Sequence, residues 1–298
     1  MKAPIYLSRR SLSTASNVGG ARPVSLALLL TLAILGPLLY LGAEEALAAQ
    51  DGLAAEEAPN RPAPEGMVLI PAGDFMMGRT KLTDDDKTGM RPLILRDDLP
   101  VHKVGLDAYF MDAKEVTHAD YAKFVTATTR PPPYHWLEGK YPESHELYPV
   151  FSVSWDDAGA FCGWQGKRLP TEAEWERAAR GGKEGVDYPF GDVIDDKKAL
   201  YNVATGAGPV GEFSANGFGL YDMAGSVSEW CSDWFERTYY AASPERNPQG
   251  PEEGLYKIIR GGAWPDGPKR VTVFFRNWVR ANQRTPNLGF RCAQDAAR

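Results

Sequence analysis

Arg168-Leu-Pro-Thr-Glu-Ala-Glu-Trp-Glu176, followed two residues on by Ala178-Ala-Arg-Gly-Gly182, is the clearest structural signal in the chain. Thr171 and Glu174 stand three residues apart directly after a proline, which is the pattern of a capping box. In a capping box the hydroxyl and the carboxylate each accept a hydrogen bond from a free N–H group at the helix start. The closing glycine pair suits a helix end. The stretch therefore predicts a short helix that begins after Thr171 and stops at these glycines.

Two more helices and several short strands are predicted elsewhere. Thr117 with Asp120 marks one helix start, and Ser154 with Asp157 marks another. Apolar runs of strand length lie at residues 67–70, 101–106 and 108–111. The remaining sequence is rich in glycine, proline and aromatic residues and has few long periodic runs. These features predict a loop-rich α+β domain without internal repeats.

Two further motifs point to a known family. One is Gly219-Leu-Tyr-Asp-Met-Ala-Gly-Ser-Val-Ser-Glu-Trp230, and the other runs from Arg260-Gly-Gly-Ala-Trp264 to Asn287-Leu-Gly-Phe-Arg-Cys292. Together with the capping-box stretch, they resemble the formylglycine-generating enzyme (sulfatase-modifying factor) family over residues 66–293. The resemblance implies a loop-rich α+β variant of the C-type-lectin fold.

The last of these motifs lacks a feature of the family. True oxidases carry a pair of copper-binding cysteines in this stretch, whereas no cysteine lies between Gly261 and Arg291. Copper(I) in this chemistry prefers soft sulfur ligands, which no other side chain in the stretch replaces. We therefore expect no copper centre, and the oxidase activity of the family does not follow from the motifs alone.

The N-terminal region predicts export. Basic residues precede an apolar run at residues 24–42, and Ala46-Leu-Ala48 gives a small-x-small cleavage pattern. The run is close to the length that spans a bilayer, so a signal peptide and an uncleaved membrane anchor both fit. Ser8-Arg-Arg-Ser-Leu12 also resembles a twin-arginine export signal. Each interpretation predicts an extracytoplasmic domain, either periplasmic or secreted.

The predicted organisation has four parts. They are a signal peptide or anchor at residues 1–48, a linker at 49–65, the sulfatase-modifying-factor-like domain at 66–293 and a tail at 294–298. The formal net charge is −6 and no basic cluster follows the export region, which argues against a nucleic-acid partner.

The chain contains three cysteines, Cys162, Cys231 and Cys292, all in the part predicted to be exported. An oxidising compartment allows one disulfide and leaves one thiol over. The sequence alone does not choose among the three pairings. The family resemblance implies a bond between Cys162 and Cys292, which leaves Cys231 unpaired.

The resemblance also implies a calcium loop within residues 219–230. The implied ligands are the side chains of Asp222 and Glu229 and the carbonyl groups of Gly225 and Val227. Oxygen atoms of these kinds are the ligands that calcium prefers. In the alternative interpretation, the two carboxylates only accept hydrogen bonds from backbone N–H groups in a turn. A second calcium site of the family would use Asn202 and the Val203 carbonyl.

Aromatic and basic residues near the C-terminus are candidate cleft residues, namely Trp264, Arg276, Trp278 and Arg280. Such a cleft would bind a peptide or a small anion, since a guanidinium group bonds a carboxylate through two parallel hydrogen bonds. In the alternative interpretation, Arg276 and Arg291 make internal hydrogen bonds that hold the core. The sequence favours this alternative for Arg291 and leaves both interpretations open for Arg276.

Three functions follow from the resemblance. The one we favour is an accessory, maturation or binding factor for a protein or peptidic partner. Relatives without the copper cysteines include pyoverdine-maturation and nitrite-reductase accessory proteins, so an oxidase-type maturation enzyme that acts on a protein or peptide is the alternative. A true formylglycine generator would need the missing thiolate pair. The sequence leaves open whether the protein is an enzyme.

Overall fold

The computed structural model describes residues 62–82 and 97–296 of the chain. The predicted signal peptide or anchor, the apolar run at 24–42 and most of the linker lie outside the described residues. Within the described ranges, no helix is both long enough and apolar enough to cross a bilayer.

Nine short strands and three α-helices make up the regular structure of the described ranges. The strands are β1 (Met67–Ile70), β2 (Gly73–Met77), β3 (His102–Leu106), β4 (Tyr109–Asp112), β5 (Ser228–Trp234), β6 (Lys257–Arg260), β7 (Asn277–Val279), β8 (Leu288–Gly289) and β9 (Ala293–Asp295). The helices are α1 (His118–Thr128), α2 (Trp155–Trp164) and α3 (Glu172–Arg180). Long irregular connections join them, so the domain is α+β and loop-rich, as the sequence predicts.

The three predicted helix starts are all present. Thr117 caps α1, and full capping boxes open α2 with Ser154 and Asp157 and α3 with Thr171 and Glu174. Helix α3 ends at the first glycine of the pair, which has a left-handed φ of 58°. The three helix starts and the end of α3 were predictable because each depends on hydrogen bonds between residues only a few positions apart.

The strands form three small sheets. β4 lies between β1 and β9 in one antiparallel sheet, and β2 pairs with β3 in another. The third sheet has the order β7-β6-β5-β8, in which β8 runs parallel to β5 and the other pairs are antiparallel. Strand β9 extends to Asp295, so the segment predicted as a tail from residue 294 belongs in part to the domain.

The disulfide joins α2 to the residue that precedes β9. Cys162 and Cys292 are bonded, with their Cα atoms 5.7 Å apart, and this is the pairing that the family resemblance implies. Both cysteines pack among buried aromatic side chains, including Tyr121, Phe161 and Phe290. The bond therefore fixes the C-terminal strand to the helical side of the core.

A buried group of charged side chains holds α3 against the sheets, and we call it the α3 cluster. Glu172 accepts two hydrogen bonds from Arg276, at 2.7 and 2.9 Å. Glu176 accepts from Arg180 and from Arg260, each at 2.6 Å. None of these five side chains is more than 3% exposed. Buried charges are tolerated only when they are paired. These five residues therefore have a structural role in the core.

Candidate functional site

The predicted calcium loop packs tightly before it enters β5. Gly225 has a φ of 82°, and a Cβ atom there would lie 2.1 Å from the carbonyl oxygen of Leu200. Asp222 and Ser226 also have left-handed φ angles, of 57° and 56°. Only glycine fits the first position, and short polar residues tolerate the left-handed conformation better than most others do. The tight turns direct Asp222 into the interior, where Arg291 and Glu229 contribute to its electrostatic environment.

Glu229 makes internal bonds through both of its carboxylate oxygens. Its oxygens accept from Nε and Nη2 of Arg291, both at 2.7 Å, and one of them also accepts from the Trp175 indole at 2.8 Å. Glu229 is 1% exposed and Arg291 is fully buried. Arg291 thus has the internal role that the sequence favoured. Glu229 is engaged with a guanidinium and an indole, and its role as a calcium ligand stays a prediction.

Glu115 stands beside Asp222 and was not predicted as a site residue. Both of its carboxylate oxygens are buried and accept no hydrogen bond of acceptable geometry within the described ranges. Burial, and then the negative charge of Asp222, hold the pKa of Glu115 well above its usual range. Burial also raises the pKa of Asp222, although a 2.6 Å hydrogen bond from the Gly211 N–H opposes the change. The charge of Asp222 therefore disfavours ionisation of Glu115, whereas a side-chain hydrogen bond from Glu115 lowers the pKa of Asp222.

Glu115, Asp222, Glu229 and Arg291 form what we call the carboxylate cluster. Three carboxylates here face one guanidinium, and the nearest approach of Glu115 to Arg291 is 4.0 Å. The surplus of carboxylates over guanidinium groups fits a cation with a preference for oxygen ligands. Among residues 62–82 and 97–296, however, no three His, Cys, Asp or Glu side chains already have the arrangement of a metal centre.

A calcium ion at the carboxylate cluster would be held by the predicted ligands Asp222, Glu229 and the carbonyl groups of Gly225 and Val227, with Glu115 beside them. Glu229 accepts three hydrogen bonds from Arg291 and Trp175, which leaves one acceptor position of its carboxylate for an ion. The calcium site remains a prediction, with Glu115 as an added candidate ligand.

The predicted second calcium position lies beside the stretch that lacks the cysteine pair. The N–H groups of Asn202 and Val203 donate to the carbonyl oxygens of Asp266 and Trp264, at 2.9 and 2.8 Å. These bonds connect the 202–203 turn to the segment after β6. The ligand role of Asn202 and Val203 also remains a prediction.

Arg276 does not form the floor of a cleft, and this corrects one of its two predicted roles. It is 3% exposed, and its guanidinium group is held by Glu172, by the Asp97 carbonyl at 2.7 Å and by the Tyr240 ring at 4.2 Å. Its donors are used by residues far away in the sequence. The local sequence around Arg276 therefore could not decide between the two interpretations.

Trp278 and Arg280 lie on a partly exposed aromatic surface that we call the Trp278 patch. The Trp278 ring stacks on Phe235 with centroids 3.9 Å apart, and the Arg237 guanidinium lies 5.7 Å from the Trp278 centroid. Arg280 is exposed and lies over the Tyr256 ring at 5.7 Å. Stacked rings with guanidinium groups over them are typical of protein interaction surfaces.

Trp264, the remaining cleft candidate, has different neighbours. Its ring meets Phe151 edge to face at 5.6 Å, and Phe151 stacks in turn on His135. No direct ring contact joins this group to Trp278 within the part of the chain that the structure describes. The four predicted cleft residues therefore divide between the buried core, the Trp278 patch and the surroundings of Trp264.

Lys257 is a residue that the sequence analysis did not single out. Its ammonium group lies between the rings of Trp155 and Trp234, at 4.0 and 3.7 Å from their centroids. It donates to the Ser232 carbonyl at 2.7 Å. Burial lowers the pKa of Lys257 to about 8, although the nearby carboxylates of Asp233 and Asp156 oppose the change. The register of β5 with β6 places Trp234 opposite Lys257, and the packing of α2 adds Trp155, so the local sequence does not reveal this arrangement.

The structure accounts for all three cysteines of the chain. Two are joined in the disulfide, and Cys231 on β5 is completely buried. Burial, followed by the charges of Asp233 and Glu172, raises the pKa of the Cys231 thiol well above its usual range. Cys231 is therefore protonated at neutral pH and out of contact with solvent. A reactive cysteine is a thiolate in a partly exposed position, so Cys231 does not meet that description.

Comparison with known proteins identifies close relatives. Residues 53–296 match the model of the sulfatase-modifying factor enzyme 1-like domain. The formylglycine-generating enzyme of Bos taurus is 35% identical over an alignment that covers 79% of this chain and 76% of that protein. The serine/threonine-protein kinase Pkn1 of Chlamydia trachomatis is 34% identical over 80% of this chain. The chain spans only 40% of the length of that kinase.

A solved structure shows the same fold. PvdO from Pseudomonas aeruginosa is 29% identical, with a TM-score of 0.64 and coverage of 77% of this chain and 94% of PvdO. The likeness confirms the predicted α+β, loop-rich variant of the C-type-lectin fold.

Proposed function

This chain belongs to the sulfatase-modifying factor family, and we propose that it is an accessory, maturation or binding factor for a partner protein rather than a formylglycine generator. The state of the three cysteines carries the proposal. Two form a disulfide in the core, and the third is buried and protonated. Oxidation of a substrate thiol by the true oxidases depends on a copper(I) thiolate pair. No two thiolates in this chain are available to form one.

The Trp278 patch supports a role in binding a protein. Its stacked rings offer rigid apolar area, and Arg237 and Arg280 offer donors for carboxylates or backbone carbonyls. A partner with exposed acidic and apolar side chains would match this chemistry. The mildly acidic net charge of the whole chain gives no support to a nucleic-acid partner.

A capture experiment tests the binding role. The exported domain would be used to capture proteins from a periplasmic extract of its own source, in parallel with Trp278→Ala. Trp164→Ala is the matched control, because Trp164 is a 41% exposed ring on α2, outside the Trp278 patch. We expect a defined partner that the control retains and Trp278→Ala loses. Equal capture by all three proteins would exclude the Trp278 patch as the binding surface.

A second experiment separates this proposal from a true formylglycine generator. The domain would be incubated with copper(I), oxygen and a cysteine-containing sulfatase peptide, and the peptide mass would be followed. We expect no conversion of the thiol to an aldehyde. A mass loss that matches the aldehyde would identify a formylglycine generator and refute the accessory role.

We also propose that the domain works outside the cytoplasm and binds calcium. The apolar N-terminal run and the disulfide support export, since disulfides persist in oxidising compartments. The surplus of buried carboxylates supports a bound cation. Alkaline phosphatase fused after residue 65 would be active if the segment exports it. An inactive cytoplasmic fusion would refute the location.

A further inference from the structure

Two arginines that are distant in the sequence converge on one buried carboxylate, and we call them the arginine pair. Nη1 of Arg130 lies 3.3 Å from Oδ1 of Asp157, and Nη1 of Arg284 contacts Oδ2 of the same side chain. Asp157 is 3% exposed and accepts hydrogen bonds from the N–H and the hydroxyl of Ser154, at 3.0 and 2.6 Å. The carboxylate is thus fixed at the start of α2, and it holds both guanidinium groups beside it.

The arginine pair has more positive charge than Asp157 neutralises. Within the described ranges, Asp157 is the only carboxylate within ion-pair distance of either guanidinium group. Two guanidinium groups and one carboxylate leave one positive charge in excess. The whole chain has a formal charge of −6, so this excess is a local feature of the surface. An anion from outside would neutralise it.

Each arginine of the pair has an unused fork of donors. The fork consists of Nε and Nη2, and neither nitrogen makes a hydrogen bond within the described ranges. In the core, the same two nitrogens of Arg276 bond both oxygens of Glu172, and those of Arg291 bond both oxygens of Glu229. The molecule thus shows twice how such a fork binds a carboxylate.

The arginine pair is accessible, unlike the two buried arginines of the core. The side chain of Arg130 is 41% exposed and that of Arg284 is 37% exposed. The unbonded nitrogens of Arg130 are not buried. A carboxylate of another molecule can therefore reach the arginine pair without a change in the fold.

A short turn connects the arginine pair to the Trp278 patch. Arg280 belongs to that patch, and the N–H of Gln283 donates to its carbonyl at 2.9 Å, directly before Arg284. The N–H of Trp155 donates to the Ala281 carbonyl at 2.9 Å and fixes the turn to the start of α2. In the part of the chain that the structure describes, Arg280 has no carboxylate within ion-pair distance. The turn therefore has an exposed arginine at each end.

We propose that the arginine pair binds an acidic segment of the partner protein, whose aspartate or glutamate side chains accept hydrogen bonds from the two forks. This inference rests on the proposed binding function and adds the chemistry of the partner to it. A guanidinium fork matches the two oxygens of a carboxylate. Two forks on different side chains favour successive carboxylates along a chain over a single small acid.

A fluorescent hexaglutamate peptide is the probe for the test, titrated with the exported domain and followed by anisotropy at fixed ionic strength. We expect saturable binding that weakens as salt is added. The double variant Arg130→Lys with Arg284→Lys should bind about tenfold more weakly, because lysine keeps the charge but lacks the fork. Arg246→Lys is the matched control, since Arg246 is exposed and paired with one carboxylate, Asp107. The control should bind as the wild type does.

Equal binding by the double variant and the wild type would overturn the proposal, as would a wild type without saturable binding. If the double variant does not fold, Arg284→Lys alone should bind about threefold more weakly, and unchanged binding would then refute the proposal. Vesicles of anionic lipid replace the peptide in a parallel titration. If the arginine pair is needed for binding to the vesicles and not to the peptide, it recognises a membrane surface and the proposal is wrong.

The capture experiment with the periplasmic extract separates this inference from the proposed function. Peptide binding that depends on the arginine pair, without any captured partner, would refute the accessory role and leave the acidic preference of the pair intact. A captured partner that the double lysine variant retains fully would overturn the role of the pair and leave the accessory role intact. Loss of that partner by the double variant, with Arg246→Lys unaffected, is the expected result.

Discussion

The α3 cluster and the carboxylate cluster are both buried, yet they differ in charge balance. In the α3 cluster three guanidinium groups surround Glu172 and Glu176. Burial opposes the ionisation of Glu176, but Arg180 and Arg260 outweigh it and lower its pKa. In the carboxylate cluster one guanidinium faces three carboxylates, and the pKa of Glu115 is raised. The first cluster has more guanidinium groups than carboxylates, whereas the second has more carboxylates than guanidinium groups.

The α3 cluster therefore has a structural role, whereas the contribution of the carboxylate cluster depends on pH and on any cation that binds there. A paired buried charge costs several kcal/mol when one partner is removed, because the other is left without compensation. An unpaired buried carboxylate already carries that cost, so its removal can be neutral or stabilising. Substitutions in the two clusters should therefore change stability in opposite directions.

The largest effect is expected from Arg276→Met in the α3 cluster. The substitution leaves Glu172 with Arg260, whose nearest nitrogen is 3.3 Å away, and removes the bond to the Asp97 carbonyl. We expect the free energy of unfolding in urea to fall by about 3–5 kcal/mol. Arg270→Met, at an exposed arginine, should change it by less than about 0.5 kcal/mol. A loss as small as that of the control would show that the α3 cluster is not a stabilising element.

The disulfide provides the next largest effect, because it fixes the strand end beside Arg291 in the carboxylate cluster. Replacement of both Cys162 and Cys292 by serine should cost about 2–5 kcal/mol in the free energy of unfolding. The α3 cluster has no such crosslink. Hydrogen exchange should therefore report faster opening at residues 288–295 than at α3 in the double variant. Equal hydrogen-exchange rates at residues 288–295 and at α3 in the double variant would contradict this expectation.

Dependence of stability on pH provides a third test, at the edge of the α3 cluster. Burial, and then the charge of Glu172, raise the pKa of Asp233 to about 7. A carboxyl group with a raised folded-state pKa stabilises fully below its unfolded pKa, and that stability is lost as pH rises through the folded pKa. Between pH 5 and 8 the contribution of Asp233 should fall by about 2–3 kcal/mol.

Asp233→Asn should remove this part of the pH dependence. The Asp233 carboxylate accepts from the Glu172 N–H and the Ser232 hydroxyl, and an asparagine oxygen can accept the same bonds. Urea titrations at pH 5 and 8 on both proteins measure the difference. If the free energy of unfolding changes equally between pH 5 and 8 in both proteins, Asp233 is ionised throughout this range.

The smallest effect, and the one of opposite sign, is expected from Glu115→Gln. In chelator at pH 8 the substitution should stabilise the domain by about 1 kcal/mol, because it removes a buried carboxyl group whose ionisation is opposed by burial and by the charge of Asp222. At pH 4 the Glu115 carboxyl is already neutral and the difference should vanish. Calcium should raise the melting temperature of the wild type through mass action and leave this variant unchanged.

Glu172→Gln is the matched control for the same change in the α3 cluster. The substitution removes a charge that Arg276 and Arg260 require, so it should destabilise the domain in the same assay. If Glu115→Gln and Glu172→Gln change the stability in the same direction, the proposed contrast between the clusters is disproved. A wild type that does not respond to calcium would leave a proton as the only ligand of the carboxylate cluster.

Local signals in the sequence were enough for the three helix starts and for the end of α3. Thr171 and Glu174 interact across three residues, and the structure shows both hydrogen bonds. The family resemblance supplied what local patterns cannot, namely the fold and the pairing of Cys162 with Cys292, which are 130 residues apart. A motif position implies the fold and the cysteine pairing because the corresponding position in the family has a known place in the fold.

Partners that are distant in the sequence explain what was not predicted. Arg276 and Glu172 are 104 residues apart, so the buried role of Arg276 has no local signature. Glu115 lies between β4 and the cap of α1 and belongs to no motif of the calcium loop. Its importance follows only from the position of Asp222 next to it in the fold. The excess of carboxylates over guanidinium groups in this cluster arises only when the chain folds, so the amino-acid composition does not reveal it.

The central position of β4 between β1 and β9 has a mechanical consequence. Both outer strands run antiparallel to β4, so they run in the same direction as each other. Force applied to the two ends of the domain would pull β1 and β9 along their axes in opposite directions. The hydrogen bonds of both pairs with β4 would then bear the load together, in shear, instead of opening one after another. A domain tethered at one end and attached to a partner at the other would resist extension through this sheet.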